Sequence, residues 1–172
     1  MGEITANGLF YVGMNNLTVE QVLDKFPCTH LRELATFGAL SDQCILELLN
    51  IGNLMELAPG EALYEAGSSA HEFYVIIDGS LDLYHHYEDK QAHTRTYHPG
   101  DQLGFVGIIA LHPHKGTAIA RETCWLLAIT GKQFFELNTR APEHFGLLMI
   151  NLSRGMARTI SILGDVITEL RH

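Results

Sequence analysis

The chain has 172 residues, of which 47% are apolar and 18% charged, a balance typical of a folded domain with a sizeable core. Its net charge of −9 argues against a nucleic-acid-binding surface, because phosphate contacts need clustered basic side chains and the 11 lysines and arginines are dispersed. No apolar run reaches the roughly 20 residues of a membrane span, and the N-terminus has neither a signal-peptide nor a myristoylation pattern, so we expect a cytoplasmic protein without a membrane or nucleic-acid partner.

The first predicted elements in chain order are helical. Thr18 is followed three residues later by Gln21, which is the pattern of a capping box, so we predict a short helix that begins at Thr18 and ends before Pro27. Residues 31–50 also have helical periodicity, with Ser41 as a second cap. We therefore expect helices to precede the rest of the domain.

From about residue 54 to residue 130, turn-forming residues separate short apolar segments at intervals of ten or so positions. Many short strands at this spacing are typical of a jelly-roll β-barrel, the double-stranded β-helix. Within this region we predict one helical turn, Val106–Leu111, stopped by Pro113. The predicted strands are Leu63–Glu65, Phe73–Ile77, Leu81–Tyr87, His93–Tyr97 and Trp125–Ile129.

A long C-terminal helix is predicted from Pro142, since proline is favoured in the first turn of a helix. Apolar residues then recur at alternating spacings of three and four, which is the pattern of a coiled-coil seam. The alternative is that this apolar stripe packs on the chain's own barrel. A second apolar stripe, which includes Ile160 and Ile167, would allow the helix to contact both the barrel and a second copy of the chain. We therefore predict a homodimer through this helix. The seam consists of Met149, Leu152, Met156, Thr159, Leu163, Val166 and Leu170.

These elements predict a mainly β fold with flanking helices, organised in three parts. Residues 1–30 form an N-terminal extension with a short helix. Residues 31–141 form the β-barrel domain with its leading helices, and residues 142–172 form the C-terminal dimerisation helix.

The segment Gly100–Arg121, GDQLGFVGIIALHPHKGTAIAR, carries the most informative pattern in the chain. Its glycine-framed helical turn, followed by a loop and an apolar strand, resembles the phosphate-binding cassette of cyclic-nucleotide-binding domains. The turn at residues 59–61 and the hairpin Phe73–Leu83 occur in the order and spacing of that family. From about Leu31 to its C-terminus, the chain therefore resembles the sensor domain of the cAMP receptor protein/FNR family of bacterial regulators.

The resemblance implies which positions would bind a ligand. In that family an acidic residue after the cassette glycine binds the ribose, and an arginine about ten residues later binds the phosphate. The corresponding residues here are Phe105, which accepts no hydrogen bond, and Lys115, which lacks the two-pronged geometry of arginine. Gly116 replaces a small hydroxyl residue. Each lost charge-assisted bond costs about 1.5–3 kcal/mol, so we expect cAMP binding to be weakened by about two to four powers of ten.

Two positions of the cassette each allow two interpretations. Phe105 either fills the core in place of the nucleotide or lines an adapted site. Lys115 either anchors a small anionic or nucleotide-like ligand or is a solvated lysine. The candidate ligand-binding residues, which include positions that align with adenine contacts on the long helix, are Gly104, Phe105, Val106, Lys115, Gly116, Thr117, Thr159 and Leu163.

Other constellations give no catalytic or metal site. The chain has 10 histidines, but the neighbours His85 and His86 point to opposite faces of a predicted strand, so we expect surface histidines and no bound metal. For His112 and His114 on the cassette loop, a role in ligand contact or pH response stands beside simple loop exposure. No P-loop or G-x-S-x-G motif is present, so we expect neither an enzyme nor a cofactor.

The sequence therefore predicts a regulatory ligand-sensing domain that signals through a dimer, either alone or as the sensor part of a Crp/Fnr-type transcription regulator. The alternative is a ligand-independent dimeric protein-interaction module with a vestigial pocket. An open, partly polar cavity beside Lys115 favours the sensor, whereas a pocket filled by Phe105 favours the module.

Overall fold

The computed structural model of the protein describes residues 14–88 and 90–171, together with the backbone of residues 4–5 and 8–9. The other positions of the predicted N-terminal extension, residues 1–3, 6–7 and 10–13, lie outside the described part of the chain.

The N-terminal helices follow the capping pattern of the sequence. The predicted capping box is confirmed, because the Gln21 N–H donates to Thr18 Oγ1 over 3.1 Å and the Thr18 N–H donates to Gln21 Oε1 over 2.7 Å. The Ser41 hydroxyl likewise accepts from the Cys44 N–H over 3.2 Å. The elements are α1 (Val19–Lys25), α2 (Cys28–Leu31), a 3-10 turn (Ala35–Phe37) and α3 (Asp42–Ile51).

The strands among the described residues form a β1–β2 hairpin, a four-stranded sheet in the order β5-β10-β7-β8, and a five-stranded sheet in the order β3-β4-β11-β6-β9. Their bounds are β1 (Ile4–Thr5), β2 (Gly8–Leu9), β3 (Asn15–Asn16), β4 (Asn53–Leu57), β5 (Ala62–Tyr64), β6 (Glu72–Asp78), β7 (Leu81–Tyr87), β8 (Lys90–Tyr97), β9 (Gln102–Leu103), β10 (Gly116–Ala120) and β11 (Cys124–Thr130). Neighbouring strands pair in antiparallel fashion.

The prediction of β-sheets with flanking helices is confirmed, but a closed barrel is not seen among the described residues. The chain passes between the sheets through tight turns such as residues 98–101. There the Asp101 N–H donates to the His98 carbonyl over 2.9 Å, a local bond that belongs to neither sheet. Each sheet therefore keeps its own edge strands, and the two sheets do not close into one barrel.

Two buried clusters divide the core, and β6 separates them. Successive residues of a strand point to opposite faces of the sheet. Phe73 and Val75 accordingly pack against the helices, whereas Tyr74 and Ile76 pack between the two sheets. Val22 of α1 belongs to the helix-facing cluster, so α1 is part of the domain core.

The remaining helices are α4 (Phe105–Ala110), α5 (Gly131–Arg140) and α6 (Pro142–Leu170). The first half of α6 is anchored on the domain, because Leu148 and Leu152 are fully buried there. The Asn151 amide Nδ2 donates to the carbonyls of Thr36 over 3.1 Å and Gly38 over 2.7 Å. Within the described residues, no helix combines the length and apolarity that crossing a membrane requires.

The predicted seam on α6 is divided by this anchoring. Leu152 is buried against its own domain, and Met149 and Met156 pack at the edge of the same core. Beyond residue 157 most of the helix is exposed, and its apolar side chains are exposed with it. Only the second half of the seam is therefore free to meet another molecule.

Candidate ligand site

The cassette has the backbone geometry that its glycine pattern predicts. Gly104 caps α4 with a left-handed backbone (φ 84°), and a Cβ atom there would lie 2.9 Å from the Glu72 carbonyl oxygen. That approach is too close for any residue except glycine. The helix begins at Phe105, one residue before the predicted turn, and ends at Ala110; its C-cap residue, Leu111, is also in the left-handed region (φ 54°).

Phe105 points away from the space between the two sheets. Its side chain is fully buried in the helix-facing cluster, edge-on to the rings of Phe73 at 5.3 Å and Phe134 at 5.5 Å. Such edge-to-face contacts between rings are favourable beyond the burial of their area. The structure thus places Phe105 in the core, where it neither lines nor fills the space between the sheets. Val106 follows on the outer surface, half exposed.

The end of the cassette loop is arranged around a buried glycine. Lys115 is exposed. Gly116 begins β10, and a Cβ atom on it would lie 2.7 Å from the Tyr84 carbonyl oxygen, so this position also excludes a larger residue. The Thr117 hydroxyl is half-buried and accepts a hydrogen bond from the Ala66 N–H over 3.1 Å.

The buried ionisable side chain at this point is His114, one residue before Lys115. It is 7% exposed, and its ring stacks on that of Tyr64 with centroids 3.7 Å apart and planes 8° apart. Its Cε1 atom lies 3.4 Å from the position that a Cβ on Gly104 would take. Burial lowers the pKa of His114 below its ordinary value, and the neighbouring His112 and His71 lower it further. A neutral imidazole supplies no net positive charge to an anion.

The two-residue period of β10 could have revealed this arrangement from the sequence. Gly116, Ala118 and Ala120 are buried, whereas the residues between them are half-exposed. Extending that alternation backwards places His114 inside and Lys115 outside.

Arg95 of β8, which the sequence analysis did not single out, points toward α6. Its side chain is 20% exposed and donates a hydrogen bond to the Thr159 hydroxyl. The Asp101 carboxylate lies 3.7 Å from its guanidinium, longer than a direct hydrogen bond, and the Tyr97 ring lies 4.4 Å from its carbon Cζ. Burial raises the pKa of Tyr97, and Arg95 partly offsets that effect.

The strand register explains why Arg95 faces inward. Leu83 pairs with Arg95 and Leu81 pairs with Tyr97, and Leu81 is fully buried between the sheets. Paired residues share a face, so Arg95 and Tyr97 lie on the inner face of the four-stranded sheet. The sequence signal for this arrangement was that Arg95 and Tyr97 are two residues apart in a predicted strand and therefore share a face.

The candidate residues therefore fall into two groups. Thr159 lies against Arg95, and Leu163 follows one helical turn later, half exposed. Gly116 and Thr117 belong to β10, which is separated from β8 by β7. Strands in a sheet are about 4.8 Å apart, so β10 lies about 10 Å from the strand that carries Arg95.

Comparisons with known proteins agree with this geometry. The family described as cyclic nucleotide-binding domain matches residues 54–140, about half of the chain. This chain therefore belongs to the cyclic nucleotide-binding domain family.

The individual proteins that match this chain have low sequence identity to it. Lysophospholipase NTE1 of Cryptococcus neoformans var. neoformans is 25% identical over 142 residues, which cover 82% of this chain but 9% of that protein. The chain thus spans only about a tenth of the length of this relative.

Among solved structures, a cyclic nucleotide-binding domain from Methylobacillus flagellatus has a TM-score of 0.81 at 15% identity, covering 92% of this chain and 90% of that one. The Catabolite Activator Protein of Thermus thermophilus has a TM-score of 0.68 at 19% identity, covering 80% of this chain and 63% of that one. At these identities the similarity establishes a shared fold.

Proposed function

We propose that this chain is a non-enzymatic regulatory ligand-binding domain of its family that does not bind cyclic AMP tightly. The observation that carries the proposal is the orientation of Phe105. Its ring lies in the helix-facing core. A bound ribose would instead need an acidic side chain at this position that points toward the nucleotide. The exposed Lys115 and the neutral, buried His114 support it, since neither directs a positive charge into the space between the sheets.

The ligand that suits this arrangement is a small anionic or nucleotide-like molecule beside Arg95. The guanidinium is mostly buried, and its ion pair with Asp101 is long, so donors remain for an anion. Thr159, which the family resemblance assigns to the adenine-contacting surface, already contacts Arg95. A ligand that competes for this guanidinium would loosen the contact between β8 and α6. Ligand binding at Arg95 would thereby affect the exposed half of α6.

A thermal-shift screen with cAMP, AMP, inorganic phosphate and succinate tests the ligand-binding proposal. We expect at least one of these anions to raise the Tm, because a ligand that binds only the native state stabilises it. At one hundred times its Kd the gain is about 2.7 kcal/mol, or about 5–10 °C for a domain of this size. We expect Arg95→Gln to abolish this ligand-induced rise.

Two matched variants complete the experiment. Arg121→Gln removes an exposed arginine that pairs with Asp82 at 3.6 Å, and the rise should remain. Lys115→Ala should also keep it. If Lys115→Ala alone lost the rise in Tm, the ligand would be bound by the cassette loop and not by Arg95. The absence of any rise in Tm in the unmodified protein would contradict the ligand-binding proposal.

We further propose that the domain forms a homodimer through the exposed half of α6, and that it serves as a cytoplasmic sensor, alone or as part of a Crp/Fnr-type regulator. Six apolar side chains of this half-helix are about half exposed or more, which is unusual for a surface that remains in water. The same surface supports the second candidate, a ligand-independent dimeric interaction module, which would show α6-dependent assembly without any anion response. The six are Ile160, Ile162, Leu163, Val166, Ile167 and Leu170.

A further inference from the structure

An open groove of about 570 Å³ lies against the cassette helix α4. We call it the cassette groove; it is lined by residues from three segments, 69–71, 107–113 and 130–132. Its base is held together closely. The Gly131 N–H donates to the His71 carbonyl over 3.0 Å, and a Cβ atom on Gly107 would lie 2.5 Å from the Cβ of Ala70. The groove is therefore bounded by packed backbone of α4, α5 and the loop before β6.

The lining of the cassette groove has an unusual charge for this protein. The chain as a whole carries −9, yet no carboxylate is found among the groove-lining residues, whereas Lys132, His71 and His112 are. The Lys132 side chain is 87% exposed, and it forms an ion pair with Glu136 at 3.8 Å, outside the lining. A pair this exposed is weak and leaves the ammonium available.

The groove lining also has apolar side chains. They belong to Ile108, Pro113 and Leu111, and Leu111 is 90% exposed. The Leu111 backbone is held in the left-handed region (φ 54°), and its N–H donates to the Gly107 carbonyl. A large apolar side chain in contact with water would be stabilised by an apolar ligand group that covers it. Volume and mixed lining both fall within the range of small-molecule sites.

We propose that the cassette groove binds a small organic anion with an apolar body. Its anionic group would lie at the Lys132 ammonium with the His71 and His112 imidazoles. Its apolar body would lie against Ile108 and Leu111. This site shares no lining residue with the contact between Arg95 and Thr159, which lie on β8 and α6. It is thus independent of any ligand at Arg95.

Phenyl phosphate is a suitable probe, because it joins a phosphate to an apolar ring of the right size. Two partial probes accompany it, inorganic phosphate without the ring and benzyl alcohol without the charge. We expect phenyl phosphate to cause saturable changes in the amide NMR signals of Gly107, Ile108, Gly131 and Lys132. Each partial probe should bind at least fivefold more weakly. Changes centred elsewhere, or equal binding of phenyl phosphate and inorganic phosphate, would overturn the proposal.

Three variants connect the binding to the named side chains. Lys132→Gln should weaken the binding of phenyl phosphate at least fivefold. Lys90→Gln, which replaces an exposed lysine on β8, should leave the affinity unchanged. Leu111→Gly removes the apolar side chain but suits the left-handed backbone, so the fold should be kept while affinity falls at least threefold. Equal affinities of the Lys132 and Lys90 variants would remove the ammonium from the site and contradict the proposal.

Discussion

Replacing Phe105 by alanine should lower the free energy of unfolding by about 3–5 kcal/mol, as expected for a large aromatic side chain removed from a close-packed core. Its ring is fully buried and touches two other phenyl rings. Phe105→Glu, which restores the acidic residue of the family, should destabilise the fold at least as much, because it places a carboxylate among those rings. Urea denaturation followed by circular dichroism measures both changes.

Val106→Ala is the matched control for this experiment. It shortens the next side chain of the same helix, which is half exposed, so the free energy of unfolding should change by about 0.5 kcal/mol or less. If Phe105→Glu proved as stable as the unmodified protein, the side chain at this position would face water or a polar cavity. The core placement of residue 105 would then be wrong.

The second large effect concerns assembly. We expect the unmodified protein to be a dimer at tens of micromolar and Leu163→Asp to be a monomer by light scattering. Burying each leucine or isoleucine of the exposed half of α6 stabilises the dimer by about 1.5–3 kcal/mol, and an aspartate would bury a charge in the middle of that contact. The exposed fraction of Leu163 within one chain is 51%, so the substitution should leave the monomer folded.

Ser161→Asp provides the control, since residue 161 lies on the opposite side of α6 from residue 163 at 100° per residue. It adds the same charge to the same exposed stretch of helix and should leave the dimer intact. A monomeric unmodified protein at tens of micromolar would contradict dimerisation through α6. Dissociation by both substitutions would indicate a general charge effect and would equally count against the proposed seam.

Features that depend on neighbouring residues were predictable from the sequence. The Thr18 cap and the Gly104 turn each rest on a few adjacent positions, and both are present in the structure. The strand β7 has the predicted bounds, since the turn residues that flank it are a local feature of the sequence. β4 was missed because Asn53 and Glu56 interrupt its apolar pattern.

Features that depend on distant partners were not predictable in the same way. The two-sheet arrangement depends on which strand edges meet, and the division of the α6 seam depends on where the helix touches the 3-10 turn. The family pattern located Phe105 in the sequence but not the direction of its side chain, which is determined by the rings of Phe73 and Phe134. Similarly, Arg95 acquires its importance only from Thr159, 64 residues away.

The contact between Arg95 and Thr159 connects the proposed ligand site to the proposed dimer. Thr159 lies between the anchored half of α6, where Asn151 bonds to the domain, and the exposed half, where Ile160 begins the apolar surface. A change at Arg95 would therefore act at the boundary of these two halves. In the ligand-independent alternative the same contact would be a fixed structural bond.

Calorimetric titration of cAMP into the full chain tests the central claim most directly. The claim is that this member of the cyclic nucleotide-binding domain family retains the cassette backbone but not the acidic and arginine side chains of the cassette that would hold a cyclic nucleotide. We predict no saturable heat of binding at micromolar cAMP. A Kd below about 10 μM, equivalent to more than about 6.8 kcal/mol of binding free energy, would contradict it.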